Sequence, residues 1–269
     1  MSIRFDQVSK RFGSKIILTD VSFEVSPGEI LFVLGKSGMG KSVTLKHIVG
    51  VMRPESGRVW VDGDDVTKMD PEQLSDMRRK CGMVFQHPAL LDSLSIYENV
   101  SFGLRTPQYT RSLPRPLTES EIRAIVVEKL KLVHLGTDIL NRFPTEISYG
   151  MQKRVSLART LAPGPKFLLF DEPTTGLDPI TTTAVNDLIF ELSRQLKVTS
   201  VVVSHDMACA LKIADRVLVL DQARILALNT VAEIKRSREP LIREFLAETL
   251  ALLPPEERGD LENETGGAQ

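Results

Sequence analysis

The sequence predicts an α/β fold: a mixed, largely parallel core sheet, an antiparallel β subdomain at the N-terminus and a helical subdomain further on. Three observations predict it. Short, continuous apolar runs recur at Ile30-Leu31-Phe32-Val33-Leu34, Phe167-Leu168-Leu169-Phe170 and Val201-Val202-Val203. Runs of this kind suit strands buried on both faces, as in a parallel sheet. The first run leads into Gly35-Lys36-Ser37-Gly38-Met39-Gly40-Lys41-Ser42, which matches the phosphate-binding pattern G-x-x-x-x-G-K-[ST]. Between about residues 87 and 162 the strand pattern gives way to a helical one.

The elements follow in order. Residues 2–33 read as strands, with their clearest turn at Pro27-Gly28-Glu29. A helix over Val43–Val49 follows the glycine-rich loop, so its N-terminus faces the place where phosphates would lie. Asp62-Gly63, flanked by Val59, Val61 and Val66, signals a hairpin. Cys81 opens a further strand, Met83-Val84-Phe85, that ends at Gln86. In the helical region Thr118 and Glu121 form a capping box ahead of Ile122, Ile125, Val126, Leu130 and Leu132. The stretch from Leu104 to Leu117 carries Pro107, Pro114 and Pro116 without a helical period and reads as a surface excursion. Strands return at 166–171, 198–203 and 216–220. Leu241, Ile242, Phe245, Leu246 and Leu250 share one side of a C-terminal amphipathic helix. The expected division is a main α/β domain over 1–238 built around the phosphate-binding pattern, a helix over 239–253 and an acidic, Gly-rich tail over 254–269 that is expected to be disordered.

The residues that end these strands carry the chemistry. In the loop, glycines let backbone N–H groups turn inward around α- and β-phosphates. Lys41 reaches the β/γ-phosphates and the Ser42 hydroxyl suits Mg²⁺. Asp171 ends an apolar strand, at the sheet edge where such folds bind ligands, and suits the Mg²⁺ side of the site. Glu172 follows and suits a general base for an attacking water. Without the phosphate loop, the Asp-Glu pair would read as a solvated turn. His205, after Val201-Val202-Val203-Ser204, suits a hydrogen bond to a γ-phosphate or the water; capping of the next helix is the plainer reading. Gln86 suits contact with Mg²⁺ and its water, or the sensing of a neighbouring surface.

With these residues in place the chain resembles the ATPase subunit of an ABC transporter, a P-loop NTPase, over roughly residues 2–230. The resemblance maps the Walker A loop onto Gly35, Lys36, Ser37, Gly38, Met39, Gly40, Lys41 and Ser42, with Val43 beside it. It maps the Q-loop onto Gln86, Walker B onto Phe167–Asp171, the D-loop onto Gly176-Leu177-Asp178 and the switch histidine onto His205. Phe12 lies where the family places an aromatic against adenine. The resemblance implies catalysis by Lys41, Glu172 and His205, and Mg²⁺ held by Ser42, Gln86 and Asp171. It implies ATP held by Phe12, the loop residues, Val43 and Gln86 of one subunit, with Ser148, Gly150 and Asp178 completing the set. The signature departs from the usual Leu-Ser-Gly-Gly-Gln: here it reads Ile147-Ser148-Tyr149-Gly150-Met151. Tyr149 is strained if that position needs φ > 0 and harmless if its phenol points outward; the expectation is retained activity. One loop and one signature per chain imply a second ATPase subunit, most simply an identical one.

Bulk properties narrow the setting. The chain has 269 residues, 42% of them hydrophobic, and a formal net charge of −1 with no basic block. That argues against a nucleic-acid partner. No apolar run approaches the roughly eighteen residues of a membrane span, and Met1-Ser2-Ile3-Arg4-Phe5-Asp6 lacks a signal-peptide pattern. Two cysteines, Cys81 and Cys209, read as reduced thiols without zinc spacing. The resemblance places such a subunit at the cytoplasmic face of the inner membrane, held by a multi-span permease. The stretch Phe85–Val100 would then form part of the groove that receives the permease. It resembles the ATPase of Mla/Mce lipid-transport systems, as do Asp178-Pro179-Ile180-Thr181, Met151 and Glu239–Leu246. That implies phospholipid transport with a lipid-binding envelope protein as partner. The alternatives are the ATPase of an amino-acid-type solute importer and, less favoured, a soluble ABC ATPase.

Overall fold

Alternating apolar residues in the first sixty positions build an antiparallel sheet. In β1 (Ile3–Phe12) the side chains of Ile3, Phe5 and Val8 point inward. They meet β2 (Lys15–Val25) in the register Ile3 to Val25 and Phe5 to Phe23, and the two phenylalanine rings stack with centroids 4.5 Å apart. β3 (Ile30–Leu34) is buried along its whole length and leads through the glycine-rich loop into α1 (Lys41–Ile48). β4 (Ser56–Val61) returns to pair with β1, and β5 (Asp64–Asp65) closes a hairpin on it. The intervening Asp62 and Gly63 have φ of 56° and 89°, as a two-residue hairpin turn of this hand requires. The structure, a computed structural model, describes residues 2–252. The expected tail over 254–269, and the last residue of the expected C-terminal helix, lie outside the described residues.

Asp70 caps α2 (Pro71–Arg79) with a capping box completed by Gln73. β6 (Cys81–Val84) then ends one residue sooner than expected, leaving Phe85 exposed. The helical region contains α3 (Ile96–Ser101), α4 (Pro107–Thr110), α5 (Glu119–Leu132) and α6 (Tyr149–Leu161). The excursion at 104–117 is thus not wholly irregular: Thr106 caps the single turn of α4, which Pro107 starts. The capping box of Thr118 and Glu121 opens α5. β7 (Phe167–Asp171), α7 (Pro179–Leu196), β8 (Thr199–Ser204), α8 (Met207–Ile213) and β9 (Arg216–Asp221) complete the αβ alternation. β10 (Arg224–Thr230), α9 (Val231–Lys235) and α10 (Pro240–Leu252) follow. β10 is not among the expected strands; it pairs antiparallel with β9.

The core sheet runs β10-β9-β3-β8-β7-β6, and all pairs within β9-β3-β8-β7-β6 are parallel. Burial on both faces explains the continuous apolar runs. Leu31 and Val33 of β3 face one core, shared with the antiparallel sheet and α1, while Ile30, Phe32 and Leu34 face the other, shared with the helical region and α10. The strands that carry the phosphate loop, Asp171-Glu172 and His205 are adjacent, in the order β3, β8, β7. Their C-terminal ends therefore open on one edge, where open α/β sheets bind ligands. Burial pushes the Cys81 thiol up to about 12 and raises Cys209 as well, which leaves both as inert thiols near neutral pH.

Candidate functional site

The loop between β3 and α1 folds around its own lysine. Lys41 Nζ donates to the carbonyls of Gly35 (2.7 Å) and Lys36 (3.2 Å), and the residue is only 7% exposed. Gly38 and Gly40 have φ of 80° and 94°, left-handed values that an L side chain resists. A Cβ on Gly35 would stand 2.6 Å from the Leu220 carbonyl oxygen, so the loop can pass β9 only as glycine there. These constraints leave a backbone concavity at the N-terminus of α1, suited to an anion.

Three strand ends converge on that concavity. Ser42 Oγ donates to Asp171 Oδ1 at 2.7 Å. Glu172 Oε1 lies 3.6 Å from Lys41 Nζ, and Glu172 Oε2 accepts from Thr175 Oγ1 at 3.1 Å and meets His205 Nδ1 at 2.8 Å. Glu172 itself has φ of 50°, while its N–H donates to Val203 O at 2.9 Å. A non-glycine residue held in the left-handed region is uncommon and concentrates at functional sites. Pairing to β8 fixes this turn, which aims the carboxylate back at Lys41. The result is an open cleft of about 840 Å³. Its lining includes Gly35, Lys36, Ser37, Gly38, Gly40, Lys41, Ser42, Val43, Gln86, Glu172 and His205.

Other expected residues stand elsewhere. Met39 packs against the core behind the loop rather than lining the cleft. Phe12 ends β1, 47% exposed with Lys10 Nζ 5.6 Å from its ring centroid, and is not among the lining residues. Ser148 caps α6 by accepting from Met151 N–H at 3.3 Å. Asp178 caps α7 by accepting from Thr181 N–H at 3.0 Å. Gly150 approaches that same Thr181: a Cβ on it would lie 3.4 Å from Thr181 Cγ2. Ser148, Gly150 and Asp178 therefore form a second, separate group at the starts of α6 and α7. Tyr149 is the first residue of α6 and is not among the residues with positive φ. Its phenol points toward His87, with Oη 3.4 Å from Nδ1, so the strained alternative does not arise.

Residues that sequence reasoning missed also line the cleft. Glu244, Phe245 and Glu248 reach it from α10. Glu244 Oε1 is 2.9 Å from Lys36 Nζ, and this bond raises the lysine above its ordinary range. The amphipathic pattern of α10 identified its buried side, Ile242, Phe245 and Leu246, but nothing local says what its polar side meets.

The donor set fits ATP with a divalent cation. Ser42 and Asp171 offer hard oxygen donors 2.7 Å apart, Gln86 adds an amide, and glycine alone fits the cradle beside Leu220. The family model described as "ABC transporter" matches residues 18–175, more than half the chain. The chain belongs to the ABC transporter family. As a member it is an ATP-binding, ATP-hydrolysing subunit. Among its relatives, the probable ribonucleotide transport ATP-binding protein mkl of Mycobacterium leprae is 39% identical over 91% of this chain and 69% of its own length. The methionine import ATP-binding protein MetN of Carboxydothermus hydrogenoformans is 39% identical over 88% of this chain and 68% of its own length. The chain thus spans about two thirds of these relatives.

Solved structures extend the likeness to the fold of the ABC ATPase. The ATP-binding cassette MJ0796, in a dimeric post-hydrolysis state bound to ADP and Pi, is 30% identical with a TM-score of 0.74, covering 85% of this chain and 98% of that one. CbiO1 from Clostridium perfringens, part of the ABC transporter complex cbiONQ, is 27% identical with a TM-score of 0.79, covering 94% and 95%.

Proposed function

We propose that this ABC ATPase works as a pair on the cytoplasmic face of a membrane and drives a permease by closing on ATP and opening after hydrolysis. The observation that carries this reading is the separation of two half-sites on one chain. Lys41, Glu172 and His205 share the cleft with Ser42, whose hydroxyl meets Asp171 just behind the lining, whereas Ser148, Gly150 and Asp178 stand together outside it. Each half is what the other lacks. A second copy related by twofold symmetry brings the start of its α6, with free N–H groups and the positive end of the helix, onto the γ-phosphate. The dimers named for MJ0796 support pairing, and the cbiONQ complex supports a membrane partner for a protein of this fold. Among the described residues no helix is long and apolar enough to cross a membrane; in the proposed assembly, force passes to a permease.

The geometry supports the following roles. Lys41 gives up its loop carbonyls to hold the β- and γ-phosphates. Glu172 takes a proton from the attacking water, and His205, already 2.8 Å from its carboxylate, orients base and phosphate together. Ser42, Asp171 and Gln86 would hold Mg²⁺, which supplies charge neutralisation between the phosphates when bound. Phe12, exposed at the end of β1, would meet adenine.

The cargo we propose is phospholipid, moved with a lipid-binding envelope protein. Met151 in the signature, Asp178-Pro179-Ile180-Thr181 and the sequence of α10 support it. Import of a small solute is the second reading, favoured by the MetN relative named for methionine import; the mkl relative is named for ribonucleotide transport. Extraction of the assembly from native membranes in mild detergent tests both. A multi-span permease with a lipid-binding envelope protein and bound phospholipid supports the first. A solute-binding protein supports the second. Absence of any membrane partner refutes the transporter reading.

A further inference from the structure

Lys153 lies outside the nucleotide cleft, yet it touches both loops that supply it. It sits on α6 one turn after Tyr149 and is 5% exposed. Its ammonium donates to the main-chain carbonyl of Gln86 and to that of Pro173, the latter at 3.0 Å. The first carbonyl belongs to the loop that carries Gln86 into the cleft, and the second belongs to the residue after Glu172. The Tyr149 ring covers the ammonium at 5.7 Å, and the phenol reaches His87, the neighbour of Gln86. Among the described residues the partners of Lys153 are these carbonyls and this ring, not a carboxylate.

That arrangement is expensive. A buried cation without an anion loses hydration that two carbonyls replace only in part. Packing alone would favour an apolar residue, because the side chain lines an apolar void of only about 20 Å³ with Val84, Phe170 and Leu188. What the cation provides is a three-way joint. One end of α6 carries Ser148 and Gly150; the ammonium one turn on fixes the main chain at Gln86 and beside Glu172.

We propose that Lys153 is a positioning residue that clamps the Gln86 loop and the Glu172 turn to the signature end of α6, with Tyr149 as its cover. The inference rests on the site roles given under Proposed function. Movement of α6 against a second subunit is then carried by one side chain to the residues around the attacking water in the first. Misplacing reacting groups by about 1 Å can lower a rate on the order of 10²-fold, while the phosphate cradle, held by Lys41 and the glycines, is untouched.

The test compares steady-state ATP turnover of the full chain with Lys153→Met, which keeps length but removes the donor, and Lys153→Gln, which keeps N–H donors on a shorter stem. Lys153→Met should lower kcat about 10- to 100-fold with KM for ATP within about threefold of wild type. Lys153→Gln should fall between the two. A kcat within twofold of wild type in Lys153→Met, a loss expressed in KM, or a Lys153→Gln no better than Lys153→Met overturns the proposal. If Lys153→Met does not fold by thermal melting, Lys153→Gln decides alone: a fall in kcat at constant KM sustains the clamp, and an unchanged kcat or a parallel rise in KM overturns it. Glu172→Gln, run alongside, separates the clamp from the site reading. Full turnover there refutes the reading and the clamp with it; a dead Glu172→Gln beside a fully active Lys153→Met refutes the clamp alone.

Discussion

Replacing Glu172 by glutamine removes one charge and little volume from the cleft, and the surrounding distances set the consequences. Glu172 Oε1 is 3.6 Å from Lys41 Nζ. At an effective dielectric of about 20, Coulomb's law puts that attraction near 5 kcal/mol before desolvation is subtracted. Lys41, the proposed phosphate ligand, is thus held partly by a carboxylate of its own chain. With glutamine, Lys41 is released to the phosphates, and a carboxylate that would repel them is gone. ATP should bind at least as tightly as in wild type. Turnover should behave in the opposite way. The amide cannot take a proton from water, and loss of a positioned base costs about 10²–10⁴-fold, or roughly 3–5 kcal/mol of barrier. Hydrogen bonds from Thr175 at 3.1 Å and contact with His205 at 2.8 Å can persist to the amide oxygen, so the fold should be kept. Equilibrium titration with a fluorescent ATP analogue, and size-exclusion chromatography of the ATP-bound protein, measure the effect on binding. Phosphate release at saturating ATP measures the effect on turnover. A purified Glu172→Gln protein that turns over within about threefold of wild type would refute the assignment of the base.

Three further outcomes are expected from the geometry. Gly35→Ala forces a Cβ to within 2.6 Å of the Leu220 carbonyl oxygen; overpacking of this kind costs about 1–3 kcal/mol, so urea unfolding should shift to lower midpoint and ATP binding should weaken together. Glu244→Gln removes a carboxylate from the cleft lining and frees Lys36; ATP should bind more tightly than to wild type, with the gain shrinking at high salt, and an unchanged affinity at low salt would exclude α10 from the site's electrostatics. Burial lowers Lys153 to about 8, against an ordinary lysine near 10.4. The unfolded chain therefore binds more protons than the native one between those values, and stability from this group rises as pH climbs from about 8 toward 10, by about 2 kcal/mol. Urea midpoints at the two ends of that window should rise less in Lys153→Gln than in wild type.

What the sequence made legible was chemistry at strand ends, and what it hid was adjacency. The run Ile30–Leu34, the glycines and Lys41 announced a phosphate loop because glycine and a reaching cation have few other uses in that order. Asp171, Glu172 and His205 were visible only in the light of that loop; each alone reads as a turn or a cap. The strand order β9-β3-β8-β7 that brings them together is not written in any local pattern. β10 carries the apolar run Ile225-Leu226-Ala227-Leu228, but Leu and Ala suit a helix as readily as a strand, so a run this short does not by itself mark a strand. α4 is a single turn, shorter than any helical period. The contact between Lys36 and Glu244 joins residues 208 positions apart, and the periodicity of α10 shows its buried side only. Lys153 reads as an ordinary polar residue in a helix, since a lysine's burial depends on the two carbonyls it finds in other segments.

The strained turn at Glu172 shows how the fold converts stability into geometry. A left-handed φ of 50° on a glutamate costs on the order of 1–2 kcal/mol, and an isolated loop would relax it. Here the relaxation is blocked on both sides. The Glu172 N–H is paired to Val203 O of β8, and the carbonyl of Pro173 is held by Lys153. β8 and β7 are themselves buried on both faces, so neither strand can slide to relieve the turn without opening the core. The carboxylate is consequently aimed at Lys41; its main chain is held by the strand beneath it and, through Pro173, by α6 beside it, while Thr175 and His205 hold the carboxylate itself. α6 is thus one physical route by which a signal from outside the cleft can reach the proposed base, and it is the same helix whose first turn faces a second subunit in the proposed pair.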